Sequence, residues 1–245
     1  MADRRRHRPH GRTLDPGTVT TAPGPICLQG GRELTSPCDE MDRMVLDRCD
    51  GTVVVLAGAA RPGSDYAGAS ARTVVHYARL GAEVTTIPDP RAGHADALAT
   101  LGDEVGLIVL PGGSPGGLLD VLTHRPTGIE PTIGERLVAL WGAGAGISGA
   151  SAGAMVLCAQ TARPDQSGGL ASGLGLVPGL AVPHWSPGSE RRWSLPDAVL
   201  WGLPECGGVL IEAGSMIGVG RGAASVRVDG TWQAVDRLLA EPLPR

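Results

Sequence analysis

The chain has 245 residues, 42% of them hydrophobic, with 21 basic and 25 acidic side chains and a net charge of −4. That is enough apolar material for one α/β domain with a real core, short for two such domains, and incompatible with a disordered chain. The slight negative balance gives nucleic acid no electrostatic footing, and no apolar run reaches the ~20 residues of a membrane span, so neither is expected as a partner.

Phe is absent and every basic residue is Arg, so the core must be built from Val, Leu, Ile and Ala. The five Cys are scattered and form no C-x-x-C pair. With no apolar signal segment after the basic start, this pattern suits a reducing compartment, and a cytoplasmic location is expected. Residues 1–23 are polar, with Arg4, Arg5, Arg6, Arg8 and Arg12 against Asp3 and Asp15. They read as a disordered tail, which leaves 24–245 as a single α/β domain.

A first strand is expected over 24–28, followed by Gln29-Gly30-Gly31. A helix follows over 39–47, with Met41, Met44, Val45 and Leu46 as its apolar positions and Ser36 as its cap. The continuous apolar run over 52–58 marks a strand buried on both faces. Then come a helix over 69–80 ended by Gly81, a strand over 82–87, a helix over 92–101 and a strand over 105–110. Strand and helix alternate at short intervals, which predicts a mostly parallel sheet sandwiched by helices. A Gly-rich loop over 111–117 leads into a helix over 118–123, and Thr132 with Glu135 makes a capping box for a helix over 132–141. A short strand should end at Ser148 and a helix should run over 152–160, with Ser151 at the turn between them. After a loop over 163–173, the run 176–182 is strand-like and ends in Pro183-His184-Trp185. Segments 209–212, 215–220 and 224–228 read as antiparallel strands closing one edge, with Asp229-Gly230 as a hairpin turn.

Ligands of open parallel sheets bind at the carboxyl ends of the strands. Three loops qualify: 29–31, 111–117 and the elbow Gly149-x-Ser151-x-Gly153. A serine on a tight strand-to-helix turn projects its hydroxyl free of the sheet. The Gly112-Gly113 pair brings a bare backbone N–H close to a substrate carbonyl. Together with the N–H of Ala152 it would form an oxyanion hole. The alcohol needs a base, and His184 stands at a strand end, whereas His7 and His10 lie in the tail, His76 and His94 in helices and His124 in a turn. The base needs an anion to hold its tautomer. Glu205 is the best placed acid, with Asp197 as the alternative.

These residues resemble the serine peptidase family of aspartyl dipeptidase (peptidase E) and cyanophycinase. The chain reads Gly112-Gly113-Ser114 with Leu118-Leu119, then Ser151-Ala152-Gly153-Ala154. It continues with Gly173-Leu-Gly-Leu-Val-Pro-Gly179, Pro183-His184 and Gly202-Leu-Pro-Glu205. The matches share one order and cover about 24–228. The resemblance implies a flavodoxin-like fold of the class I glutamine amidotransferase type. It implies Ser151 as nucleophile, His184 as general base, Glu205 as its orienter, and the Gly113 and Ala152 N–H groups as oxyanion donors. Substrate contacts would fall on Gly112, Ser114, Arg191 and Arg192. The family often has Asn or Asp where this chain has Ser114. The expected reaction is hydrolysis of an amide bond in a small peptide, without metal or cofactor. An amidase or acyl-transfer enzyme using the same triad, and a non-catalytic binding protein of the same fold, remain the alternatives. A homodimer is left open.

Overall fold

The computed structural model describes residues 22–128, 130–163, 169–189, 198–237 and 240–244. The Arg-rich tail lies almost wholly outside these residues, as do Arg191, Arg192 and Asp197.

The first half alternates strand and helix as the sequence predicts. It runs β1 (Ile26–Gln29), α1 (Asp39–Leu46), β2 (Thr52–Val55), α2 (Ser64–Arg79), β3 (Val84–Thr86), α3 (His94–Ala99) and β4 (Val105–Leu110). Then come α4 (Pro115–Thr123), α5 (Ile133–Gly142), β5 (Gly146–Ala150) and α6 (Ala152–Leu157). The remaining strands are β6 (Cys158–Arg163), β7 (Gly169–Ser172), β8 (Val177–Val182), β9 (Leu200–Gly202), β10 (Gly207–Glu212), β11 (Ser215–Gly220), β12 (Ser225–Val228), β13 (Thr231–Ala234) and β14 (Glu241–Pro242).

The main sheet has the order β14-β11-β10-β1-β5-β4-β2-β3. Strands β1 to β5 pair in parallel; β10 and β11 add the expected antiparallel edge, and β14, which was not expected, extends it. Side chains alternate across a strand, so each continuous apolar run serves two cores. In β4, Ile108 and Leu110 join Leu118, Leu122, Leu137 and Val156 on the face covered by α4, α5 and α6. Leu107 and Val109 join Met41, Val45 and Tyr77 on the face covered by α1 and α2. Each such buried side chain contributes about 1.5–3 kcal/mol relative to exposure.

Several local expectations are corrected. Ser36 does not cap α1; it opens a 3-10 turn over Ser36–Cys38, and Cys38 precedes the helix. The elbow helix stops at Leu157, and Cys158 turns extended into β6. The 163–173 segment contains β7, which pairs antiparallel with β6. Strands β12 and β13 do form a hairpin around Asp229-Gly230. They belong, however, to a second sheet of order β13-β12-β9-β8-β6-β7. This sheet sends Val177, Ala181, Trp201 and Val226 into the same core as α4 and α6. Trp201 is fully buried and its indole N–H donates to the Pro178 carbonyl at 2.7 Å.

The capping box at α5 is present. The Thr132 hydroxyl accepts from the Glu135 N–H at 3.1 Å, and the Glu135 carboxylate accepts from the Thr132 N–H at 2.8 Å. Thr132→Ala should lower stability by about 1 kcal/mol in urea unfolding, with no change in the slope of the transition.

Candidate active site

Ser151 sits between β5 and α6 with φ 48 and ψ −107, a strained conformation for a residue with a side chain. The turn is sharp enough that a Cβ on Gly153 would lie 2.1 Å from the Leu110 carbonyl oxygen, and one on Gly149 would lie 2.6 Å from the Gly153 carbonyl carbon. The flanking glycines are therefore needed by the close passage of strand and helix. The Ser151 hydroxyl lies 3.2 Å from His184 Nε2. His184 follows β8 of the second sheet, itself at φ 53. Its Nδ1 lies 3.5 Å from Glu205 Oε1, an ion-pair approach slightly longer than a good hydrogen bond. Glu205 lies between β9 of the second sheet and β10 of the main sheet. The three side chains named from the sequence thus meet, although they come from two different sheets.

The end of β1 holds this arrangement. The Gln29 carbonyl accepts from the Ser151 N–H at 2.9 Å, the Gly30 carbonyl from the His184 N–H at 2.9 Å, and the Gly31 carbonyl from the Cys206 N–H at 3.0 Å. Three consecutive carbonyls therefore fix the backbone at the hydroxyl, at the imidazole and next to the carboxylate. Gly31, at φ 135, packs against the imidazole ring.

Among the described residues, neither the Gly113 nor the Ala152 N–H is given to a protein acceptor. The Gly112 N–H is already used: it donates to Glu33 Oε1 at 2.9 Å. Ser114 spends its hydroxyl as the N-cap of α4, accepting from the Gly117 N–H at 3.1 Å. Arg191 and Arg192 lie outside the described residues.

Two charged residues that the sequence reading did not single out reach the site. Arg32 approaches Glu205 at 3.7 Å, and Glu33 holds the Gly112 loop. The available signal was the Arg-Glu pair directly after the Gly30-Gly31 step, a strand-end loop already marked as site-forming.

His76, His94 and His124 make packing contacts away from this arrangement. His76 is buried and its Nε2 meets Asp42 Oδ2 at 2.7 Å, in a network that also takes Tyr77 and Gln29. Gln29 passes this network on to Ser148 at 2.9 Å, so the buried carboxylate ties β1 and β5 together behind the elbow. His94 is also buried, and His124 stacks edge-on against it. Cys158 is fully buried, and burial pushes its thiol up to about 12, so it is core and no nucleophile at neutral pH.

A sequence profile described as peptidase family S51 matches residues 54–226. No curated protein sequence matches the chain significantly. Among solved structures, a peptidase from an acI-B1 Actinobacterium superposes with a TM-score of 0.73 at 20% identity, covering 90% of this chain and 97% of the other. A Listeria monocytogenes EGD-e protein provisionally named peptidase E superposes with a TM-score of 0.61 at 16% identity, covering 82% of this chain and 100% of the other. At these identities the two structures speak for the fold.

Proposed function

Belonging to peptidase family S51, the chain is a serine peptidase, and we propose that it hydrolyses the amide bond of a small peptide through Ser151, His184 and Glu205. In this reading the Ser151 hydroxyl attacks the scissile carbonyl while His184 Nε2 takes its proton. The Gly113 and Ala152 N–H groups meet the oxyanion; one such donor is typically worth about 3 kcal/mol in the transition state. His184 returns the proton to the leaving amine, which departs and leaves an ester on Ser151. Water, deprotonated by the same imidazole, then releases the acid and restores the hydroxyl. Glu205 stabilises the imidazolium formed in each half-reaction.

The observation that carries this reading is the 3.2 Å approach of Ser151 Oγ to His184 Nε2 at a strained elbow, with two unspent N–H groups alongside. A fluorophosphonate probe tests it. Labelling is expected at Ser151 alone, located by peptide mass mapping, and lost on prior heat denaturation. An inert Ser151 in folded protein would favour the non-catalytic reading.

A further inference from the structure

A groove of about 700 Å³ opens beside Gly112, between the segment 33–35 and helix α2. Leu34, Ala69 and Val75 give it apolar lining, and Val75 is 69% exposed. Two basic side chains of the groove already have partners: Arg79 grips Asp39 at 2.6 and 2.7 Å, and His76 Nε2 meets Asp42 at 2.7 Å. Glu33 differs. Its carboxylate takes the Gly112 N–H, and it has no cationic partner among the described residues.

Its position is specific. A methyl group built on Gly112 would lie 2.7 Å from Glu33 Oε1 and 3.2 Å from Ser151 Cβ, so the carboxylate stands about one small group away from the nucleophile's side chain. The backbone is held against its preference to put it there: Gly31, Arg32 and Leu34 have φ 135, 54 and 64. Strain in two non-glycine residues flanking one side chain, at the mouth of a site, is the pattern expected where that side chain has a task.

We propose that Glu33 reads the free α-ammonium of a peptide's amino-terminal residue, and that the groove takes that residue's apolar side chain. The inference rests on the acyl-enzyme reading above and names its substrate class. In an amino-terminal residue the ammonium is two bonds from the scissile carbonyl carbon. A carbonyl placed on Ser151 therefore brings the ammonium within reach of Glu33, where a charge-assisted hydrogen bond forms. N-acylation removes that charge. An aspartyl side chain would set a second carboxylate beside Glu33, and like charges at this range repel. Arg72 also lines the groove, with no ion-pair partner among the described residues, but it is exposed, and water screens it more than the part-buried Glu33.

Glu33→Gln tests the proposal, because it keeps an oxygen for the Gly112 N–H and removes only the charge. The kcat/KM values of both proteins are measured on Leu-Leu, N-acetyl-Leu-Leu and Asp-Leu. The wild type should prefer Leu-Leu to its acetylated form by at least about 100-fold, and to Asp-Leu by about 10-fold. In Glu33→Gln the first preference should fall by about 30-fold or more, and the second should vanish. Unchanged ratios in the variant, or a wild type that cleaves the acetylated or aspartyl peptide equally well, overturn the proposal. Fluorophosphonate labelling of both proteins separates the two levels of failure. If Ser151 is labelled and the ratios do not move, the role of Glu33 falls alone. If Ser151 is not labelled in the wild type, the acyl-enzyme reading falls and this proposal with it.

Discussion

Ser151→Ala should lower dipeptide turnover by about 10⁴- to 10⁶-fold, to the edge of detection. The same variant should melt within a few degrees of the parent. The hydroxyl is half-buried and its only hydrogen bond among the described residues is to His184, itself exposed, so its loss leaves no buried group unpaired there. Alanine also meets the elbow's φ of 48 no worse than serine does, so the backbone has no new reason to relax. Dipeptide hydrolysis followed by chromatography, with a thermal melt on the same sample, checks both halves. Turnover at the parent rate would remove Ser151 from the mechanism.

Gly31→Ala is expected to reduce kcat/KM by about 100-fold or more although no member of the proposed triad is substituted. Its new methyl would lie 2.4 Å from His184 Cε1 and 2.7 Å from Nδ1, and a ring cannot stay where a carbon is placed at that distance. The φ of 135 adds backbone strain, so stability should fall by about 1–3 kcal/mol as well. Gly175→Ala is the control. It also asks for a positive φ, of 71, but its Cβ meets nothing within 4 Å. That variant should lose stability of similar origin and keep its activity. If Gly31→Ala retains parental kcat/KM, the imidazole is not held where the structure has it during turnover.

The parallel half of the molecule was readable because runs such as 53–57 and 107–110 are apolar at every position and short, a pattern that suits a strand covered on both faces. The second sheet was not. Its strand β6 follows α6 in a stretch, Ala-Gly-Ala-Met-Val-Leu-Cys-Ala-Gln, whose composition suits a continuing helix. Pairing of Cys158 and Gln160 with Val177 and Leu180 overrides that preference, and no local signal announces a partner so far along the chain. The candidate site was legible where chemistry leaves a short motif: a serine between glycines, a histidine ending a strand, a glutamate after Leu-Pro. Glu33 left none. Its contact with Gly112 spans 79 positions and depends on two turns of positive φ that a sequence pattern does not reveal.

The tripeptide Gln29-Gly30-Gly31 works as a common jig. Its oxygens set the spacing of Ser151, His184 and the Glu205 loop, which come from segments far apart in the chain, and each oxygen is already committed to a backbone N–H. Under the proposed mechanism, alignment of the attacking groups is therefore separable from the choice of substrate. Loops on the rim can lengthen, shrink or change charge, and the molecule can acquire new diets, while the cutting edge keeps its alignment. Damage to the jig itself would blunt every one of those diets at once.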